Sequence, residues 1–326
     1  MATVKQWAAG ARPRTLPMAV APVLIGAAAG LSEELRVGWF AEAPLSGADY
    51  SPESPAAGIY AVQWAAALLA LVVSLALQVG VNYANDYSDG IRGTDDARVG
   101  PLRLTGSGAA RPARVKRAAF LSFGVAGAAG LGIVLLTGHW WLIAAGVVCI
   151  LAAWWYTGGS RPYGYMGLGE IMVFIFFGLV ATAGTAFAVV EAASAQGAAV
   201  SFPHEVWIGA VGHGLIASAL LMANNIRDVP TDRESGKLTL AVRIGDRRAR
   251  GAYVAMLGLP FLLPLALVPS SAAFLIPVAL LISCLPAGRR ILDPSVTGPA
   301  LIPVLQQTSL VGLAFAASFS AALLLS

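Results

Sequence analysis

Carboxylate and amide side chains are concentrated in two short segments, and the first contains Asn82, Asp86 and Asp89, with Asp95 and Asp96 close behind. If this segment is helical, the first three side chains share one face, because they are four and three residues apart. Carboxylates that close together repel each other, and a bound cation would relieve the repulsion. Such oxygen ligands suit Mg²⁺, which usually binds one or two carboxylates together with substrate phosphates. This segment therefore predicts a metal site.

The second segment repeats the pattern of the first, because Asn224 and Asp228 are also four residues apart. Asp232 follows after four more residues, and Pro230 is expected to kink or end the helix between them. The two segments together predict two Mg²⁺ ions around one diphosphate, whose departure the metals would assist. The alternative is a set of solvated turn residues, which any one of these acids allows when it is taken alone.

Basic side chains follow both acidic segments and are candidates for binding phosphate oxygens through charge-assisted hydrogen bonds. Lys237 is the strongest candidate, because it comes shortly after the second segment and directly behind a glycine. For each arginine, contact with lipid headgroups is the alternative interpretation. The predicted diphosphate-binding residues are Lys237, Arg92, Arg103 and Arg243.

A third segment, residues 156–170, combines aromatic, glycine and charged residues. Glu170 begins an otherwise apolar run, and an ionisable residue at such a position is a candidate for a functional site. Aromatic faces near the site would stabilise an allylic cation. For Trp154 and Trp155, which precede this segment, a place in the aromatic belt at the membrane surface is the alternative.

The elements that must position these residues are membrane-spanning helices. Of the 326 residues, 57% are hydrophobic and 12% are charged, against about 25% charged in a typical soluble domain. The apolar residues form continuous runs of the length that crosses a bilayer as a helix, and helices satisfy their own backbone hydrogen bonds in lipid. Neither the cysteines nor the histidines show metal-ligand spacing. We therefore predict an all-α, polytopic bundle that forms one domain over residues 1–326.

Nine apolar runs are read as spans, although tight junctions near Gly138 and Pro269 leave kinked single helices as an alternative. The first run is predicted to be a retained helix, not a cleaved signal peptide, because Pro17 and Pro22 lie inside it. The predicted spans are about 15–31, 60–84, 116–137, 139–156, 168–190, 205–225, 251–268, 271–287 and 300–325.

The distribution of positive charge predicts the orientation of these spans. Of the 21 Lys and Arg residues, all but Arg36 lie before the first span or in the loops after the second, fourth, sixth and eighth spans. Such loops face the cytoplasm in a cell membrane. Both acidic segments then face the cytoplasm, and an outer loop at 32–59 faces the other side. Gly26 and Gly30, four residues apart, predict close packing of the first span.

Several segments resemble one family. Asn85-Asp86-Tyr87-Ser88-Asp89 and Asp228-x-x-x-Asp232 resemble the two aspartate motifs of the UbiA superfamily of intramembrane aromatic prenyltransferases. Residues 12–17, 156–170 and 224–240 are similar to the branch that prenylates 1,4-dihydroxy-2-naphthoate. The resemblance covers nearly all of the chain outside the outer loop and the last two spans.

The resemblance implies a nine-helix bundle around a central cavity, with Mg²⁺ as cofactor. It also implies the transfer of a polyprenyl chain from polyprenyl diphosphate to 1,4-dihydroxy-2-naphthoate, with loss of CO₂, in menaquinone synthesis. The implied catalytic residues are Asp86, Asp89, Asp228, Asp232 and Lys237. The implied metal ligands are the four aspartates, with Asn82 and Asn224 assisting. The acceptor is expected to contact Arg161, Tyr156, Glu170 and Asn225.

Other functions were weighed against this one. Another aromatic acceptor, 4-hydroxybenzoate or homogentisate, is the nearest alternative. The motif of CDP-alcohol phosphotransferases begins like Asp89-Gly90, but Gly93 and Thr94 depart from it. A secondary transporter would bind its substrate near the bilayer midplane, whereas these acids lie at the ends of spans. The expected partners are the two substrates and the lipid bilayer, and no nucleic acid.

Overall fold

The chain is described by a computed structural model that covers residues 2–40, 55–93, 102–197 and 201–326. Asp95, Asp96 and most of the predicted outer loop lie outside these described residues. Within them the secondary structure is helical, without strands. The helices are α1 (Val4–Gly10), α2 (Pro17–Phe40), α3 (Pro55–Ile91), α4 (Pro112–Thr137), α5 (Leu142–Trp155), α6 (Gly169–Ser194), α7 (Val206–Glu234), α8 (Leu240–Ile244), α9 (Asp246–Leu267), α10 (Ala272–Leu292) and α11 (Gly298–Leu325).

Each of the nine predicted spans coincides with a helix, but nine full crossings are not established. Among the described residues, seven helices are long and apolar enough to cross a membrane, and the bent pair of α1 and α2 would make eight. Helix α5 has 14 residues, which at 1.5 Å per residue extend about 21 Å, less than the ~30 Å hydrocarbon core. All-helical architecture is therefore confirmed, and the chain is a multi-pass membrane protein.

Three helices are longer than the apolar runs that predicted them. Helix α2 continues to Phe40 and α3 begins at Pro55, so the predicted loop at 32–59 is partly helical. Helix α7 continues past Pro230 to Glu234, so this proline does not end the helix. Both aspartates of the second segment are thus presented by one continuous helix.

Small residues allow α2 to approach α6 closely, as predicted. A Cβ atom at Gly26 would lie 2.3 Å from the carbonyl oxygen of Thr182, and one at Gly30 would lie 2.7 Å from Cγ1 of Val189. Buried side chains such as Ile25 continue the core beside this contact. Because glycines let the two helices come into close contact here, α2 packs directly against α6 as part of the bundle.

Candidate active site

A cavity of about 330 Å³ lies among α3, α5, α6 and α7. Its polar part is at the end of the bundle where residues 89–93, 102–110, 156–168 and 232–245 meet, which we call the basic end. Its remaining wall is apolar, and α6 and α3 contribute the most residues to it. The polar residues at this part of the cavity include Asn82, Asn85, Asp89, Arg103, Asn224, Asn225 and Lys237.

Asp86 lies beside the cavity and is 1% exposed. One carboxylate oxygen accepts a hydrogen bond from the backbone N–H of Leu104 (2.7 Å), and the other accepts from the N–H of Thr105 (2.8 Å). Nearby, a Cβ atom at Gly90 would lie 2.4 Å from Cγ2 of Thr105, so the segment packs tightly against α3. Asp86 thus holds the 102–110 segment on the end of α3, and its metal-binding role stays a prediction.

Asp89, one turn further along α3, lines the cavity. Its Oδ1 atom accepts a hydrogen bond from the hydroxyl of Tyr165 (2.7 Å), and its Oδ2 atom lies 3.6 Å from Nη2 of Arg103. Arg103 also lines the cavity, and its binding of diphosphate stays a prediction. A carboxylate and a cation thus stand side by side at the polar end of the cavity.

The asparagines of the first segment tie neighbouring elements to α3. Asn82 donates to the carbonyl of Ala11 (2.9 Å), which follows α1. Asn85 accepts a hydrogen bond from the hydroxyl of Thr157 (2.7 Å), which follows α5. Both asparagines also line the cavity, so three separate parts of the chain converge at this point.

In the second segment, Asp228 is paired with its neighbour Arg227 through two hydrogen bonds of 2.7 Å. Asp232 lies 3.7 Å from Nζ of Lys237, and the backbone N–H of Lys237 donates to the carbonyl of Asp232 (2.8 Å). Lys237 and Asn224 line the cavity. The second segment therefore reaches the same cavity as the first, with Lys237 as its cation.

The other two predicted diphosphate-binding residues hold loops together. Arg92 donates to the carbonyls of Thr157 and Gly159. Arg243 donates to the carbonyl of Leu238 (3.1 Å). Both arginines are exposed or partly exposed beside the site and do not line the cavity, so their structural contacts are with the loops of the basic end.

Two of the four predicted acceptor-binding residues line the cavity. Tyr156 and Asn225 line the cavity. Glu170 is 3% exposed and contacts Asn225, whose Nδ2 donates to Oε1 of Glu170 (2.8 Å). Because Glu170 fixes the amide nitrogen, the amide oxygen of Asn225 is the atom left to accept from a ligand. Arg161 is exposed and away from the cavity lining.

Several residues of the site were not predicted as site residues, among them Arg12, Thr15 and Tyr165. Arg12 and Thr15 line the cavity from the segment between α1 and α2. Arg12 has φ 54°, a left-handed conformation that is uncommon for a residue with a side chain. The sequence signal for Arg12 and Thr15 is that residues 12–17 resemble the family. Tyr165, the third residue, touches Asp89 from a loop 76 residues away.

A π-helical segment, Phe174–Val180, shapes the apolar wall. The residues of α6 that line the cavity recur every four positions, from Met172 to Thr185. In an α-helix each step of four residues overshoots a full turn by about 40°, so the last of these residues would turn away from the cavity. A π-helix has more residues per turn, which keeps one face of α6 on the cavity.

The donor set fits a hard divalent cation that is shared with a substrate. Among the described residues, no three acidic, histidine or cysteine side chains are grouped closely enough to hold a metal ion alone. Mg²⁺, however, is commonly held by one or two carboxylates together with phosphate oxygens. Asp89 and Asp232, each beside a protein cation, provide one carboxylate from each segment.

Comparison with known proteins agrees with this geometry. The UbiA prenyltransferase family matches residues 56–299 of the chain. The chain belongs to the UbiA prenyltransferase family. One relative of this family member is a 1,4-dihydroxy-2-naphthoate octaprenyltransferase from Mycobacterium tuberculosis, which is 43% identical, with 99% of this chain and 98% of the relative covered. The protein of the same name from Escherichia coli is 34% identical, with 77% and 72% covered.

Solved structures of UbiA homologs share the fold. A homolog from Archaeoglobus fulgidus, bound to GPP and Mg²⁺, aligns with a TM-score of 0.59 at 14% identity, covering 98% of this chain and 100% of the homolog. The apo structure of a homolog from Aeropyrum pernix K1 gives a TM-score of 0.59 at 16% identity, covering 93% and 97%. The helical arrangement of this UbiA family member is therefore that of its family.

Proposed function

We propose that this prenyltransferase transfers a polyprenyl chain from polyprenyl diphosphate to 1,4-dihydroxy-2-naphthoate, releasing diphosphate and CO₂ and giving demethylmenaquinol. The observation that carries the proposal is one cavity with the carboxylate of Asp89, several cations and several amides at its polar end and an apolar wall along α3 and α6. Such a cavity suits a ligand with a charged head and a long hydrocarbon tail. The names of the relatives, at 43% and 34% identity, support the naphthoate as the acceptor.

The diphosphate is placed at the basic end, where Lys237 and Arg103 line the cavity. Both bind phosphate oxygens as cations. Two Mg²⁺ ions would neutralise charge on the leaving diphosphate. The residues proposed to hold these ions are Asp89, Asp232, Asp86, Asp228, Asn82 and Asn224. The prenyl tail then lies along the cavity face of α6, where Val180 and Gly184 line the cavity and are exposed.

The acceptor is placed beside Asn225 and Tyr156. The amide oxygen of Asn225 accepts from a ring hydroxyl, which holds the electron-rich ring against the allylic carbon of the donor. The allylic C–O bond breaks, a C–C bond forms to the ring, and a hydroxyl proton is lost. In the resulting keto form the bond to the carboxylate breaks and CO₂ leaves. The electron pair of that bond restores the aromatic ring, and the keto oxygen takes up a proton to give the quinol. Arg161 as a partner of the acceptor carboxylate stays a prediction.

The basic end is proposed to face the cytoplasm of the cell membrane. All but one of the Lys and Arg residues lie in the loops assigned to that side, and short loops rich in these residues are retained there. Water-soluble Mg²⁺ and the released diphosphate are then exchanged with the cytoplasm.

Carboxyl-labelled acceptor tests the proposed reaction. Purified protein with a long prenyl diphosphate and Mg²⁺ is expected to release one labelled CO₂ per product, and EDTA should stop this until Mg²⁺ is restored. Prenylation of 4-hydroxybenzoate with its label retained, and no turnover of the naphthoate, would contradict the acceptor while leaving prenyl transfer intact.

A further inference from the structure

Tyr165 makes contacts with residues of both acidic segments. Its hydroxyl donates to Oδ1 of Asp89 (2.7 Å), at the end of α3. Its ring lies under the ammonium of Lys237, whose Nζ is 5.3 Å from the ring centroid and 3.7 Å from Oδ1 of Asp232. One side chain thus touches the first acidic segment through its hydroxyl and the cation of the second through its ring.

Further contacts hold Tyr165 itself in place. The guanidinium of Arg92 lies 5.4 Å from the same ring centroid and donates to two carbonyls of the loop that carries Tyr165. The carbonyl of Tyr165 accepts from the backbone N–H of Leu238 (3.1 Å), next to Lys237. An aromatic face attracts cations within about 6 Å, so both cations favour this position of the ring.

We propose that Tyr165 is the positioning residue that sets Asp89 and Lys237 relative to each other around the diphosphate. The inference rests on the proposed function, because it takes the diphosphate to bind between these two residues. The hydroxyl acts on the carboxylate, which would reach the ligand through Mg²⁺. The ring acts on the ammonium, which reaches phosphate oxygens directly. These two actions are separable, because one depends on Mg²⁺ and the other does not.

Titration of the full-length protein in detergent with inorganic pyrophosphate, in saturating Mg²⁺ and in EDTA, separates the two actions. Tyr165→Phe keeps the ring and removes the hydroxyl. We expect it to weaken binding about tenfold in Mg²⁺, the scale of a lost hydrogen bond to a charged group, and to leave binding in EDTA within about twofold. Tyr165→Leu also removes the ring and is expected to weaken binding in EDTA about threefold, the scale of a cation–π contact.

Two further variants control the experiment. Phe120→Leu on α4 removes an exposed ring whose centroid lies 6.0 Å from Nζ of Lys116. It should leave both affinities within about twofold, since a surface cation–π contact away from the ligand contributes little to binding. In EDTA, the double variant Tyr165→Leu/Lys237→Ala should bind pyrophosphate no more weakly than Lys237→Ala alone, because contacting residues are coupled in a double-mutant cycle. Melting temperatures show whether each variant is folded. If Tyr165→Leu is not folded, the comparison of Tyr165→Phe with and without Mg²⁺ tests the inference.

Equal loss for Tyr165→Phe with and without Mg²⁺, or wild-type binding by both Tyr165 variants, would overturn the inference. No Mg²⁺-dependent pyrophosphate binding by the unaltered protein would overturn both the inference and the proposed diphosphate site. Failure to prenylate the naphthoate with the expected binding pattern intact would overturn the acceptor alone.

Discussion

The four aspartates have the same residue type but four different sets of partners. Asp86 accepts from two backbone N–H groups, and Asp228 is paired with the arginine next to it. Asp89 lies beside Arg103 and Asp232 lies beside Lys237, and both of these cations line the cavity. Equal substitutions at these positions therefore remove different interactions, and their effects on folding and on turnover should differ.

Asp86→Asn and Asp89→Asn form a matched pair on α3. An asparagine at 86 can accept only one of the two backbone hydrogen bonds, so we expect a loss of about 1.5–3 kcal/mol in the free energy of unfolding together with loss of activity. An asparagine at 89 can still accept from Tyr165, so its melting temperature should change little while turnover falls about 100-fold, as for loss of one electrostatic catalytic group. Calorimetry and a turnover assay check this, and near-normal turnover of Asp89→Asn would contradict it.

Lys237 and Arg92 are two cations of the basic end with different contacts. Lys237→Ala should raise the KM for the prenyl diphosphate about tenfold, because a charge-assisted hydrogen bond is lost, and should affect the KM for the acceptor less. Arg92→Ala should lower the melting temperature more than it affects the donor KM, because this arginine bonds loop carbonyls. Steady-state kinetics with each substrate varied in turn measure the difference. A selective rise in the acceptor KM for Lys237→Ala would refute the assignment.

At the scale of elements, α6 has two roles. One face packs on the backbones of its neighbours, and a Cβ atom at Gly178 would lie 2.5 Å from Cα of Gly214 on α7. Another face follows the cavity, and the π-helical segment keeps it there. The cavity wall therefore depends on how closely α2 and α7 approach α6 as well as on the side chains of α6.

Gly26→Ala tests the close contact of α2 with α6. A Cβ atom there would lie 2.3 Å from the backbone oxygen of Thr182, so the helices must separate. We expect a loss of about 1–3 kcal/mol, as for overpacking in a core. Gly127→Ala on α4 is the control, because a Cβ there meets nothing within 4 Å and alanine favours a helix by up to about 1 kcal/mol. Melting curves in detergent compare the two, and equal stability of both variants would argue against tight packing at Gly26.

At the scale of the whole molecule, orientation in the membrane follows from the charged loops. Ser107, between α3 and α4, is predicted to face the cytoplasm, whereas Ser270, between α9 and α10, is predicted to face outward. Both serines are exposed. With Cys149 and Cys284 replaced, an impermeant thiol reagent on intact cells should label Ser270→Cys at once and Ser107→Cys only after permeabilisation, since these ends lie on opposite sides. The reverse pattern would overturn the orientation.

Much of this protein can be inferred from the sequence, because the relevant signals are local. Long apolar runs predict helices, since lipid leaves a backbone no other partner, and every predicted span lies in a helix. The spacing of Asn82, Asp86 and Asp89 on one helix likewise predicts a polar face, and the motifs identified the family before any fold was known.

Only the tertiary structure decided which of these side chains reach the cavity. Asp86 is held by backbone 18 residues away and Asp89 by a tyrosine 76 residues away. Such partners depend on where loops return, which composition and periodicity do not specify. The same reason explains why Arg92 was predicted to bind the diphosphate but donates hydrogen bonds to loop carbonyls. It also explains why Tyr165, although inside the 156–170 segment, was not singled out as a site residue. Periodicity determines which face of a helix a residue occupies, and packing determines what that face meets.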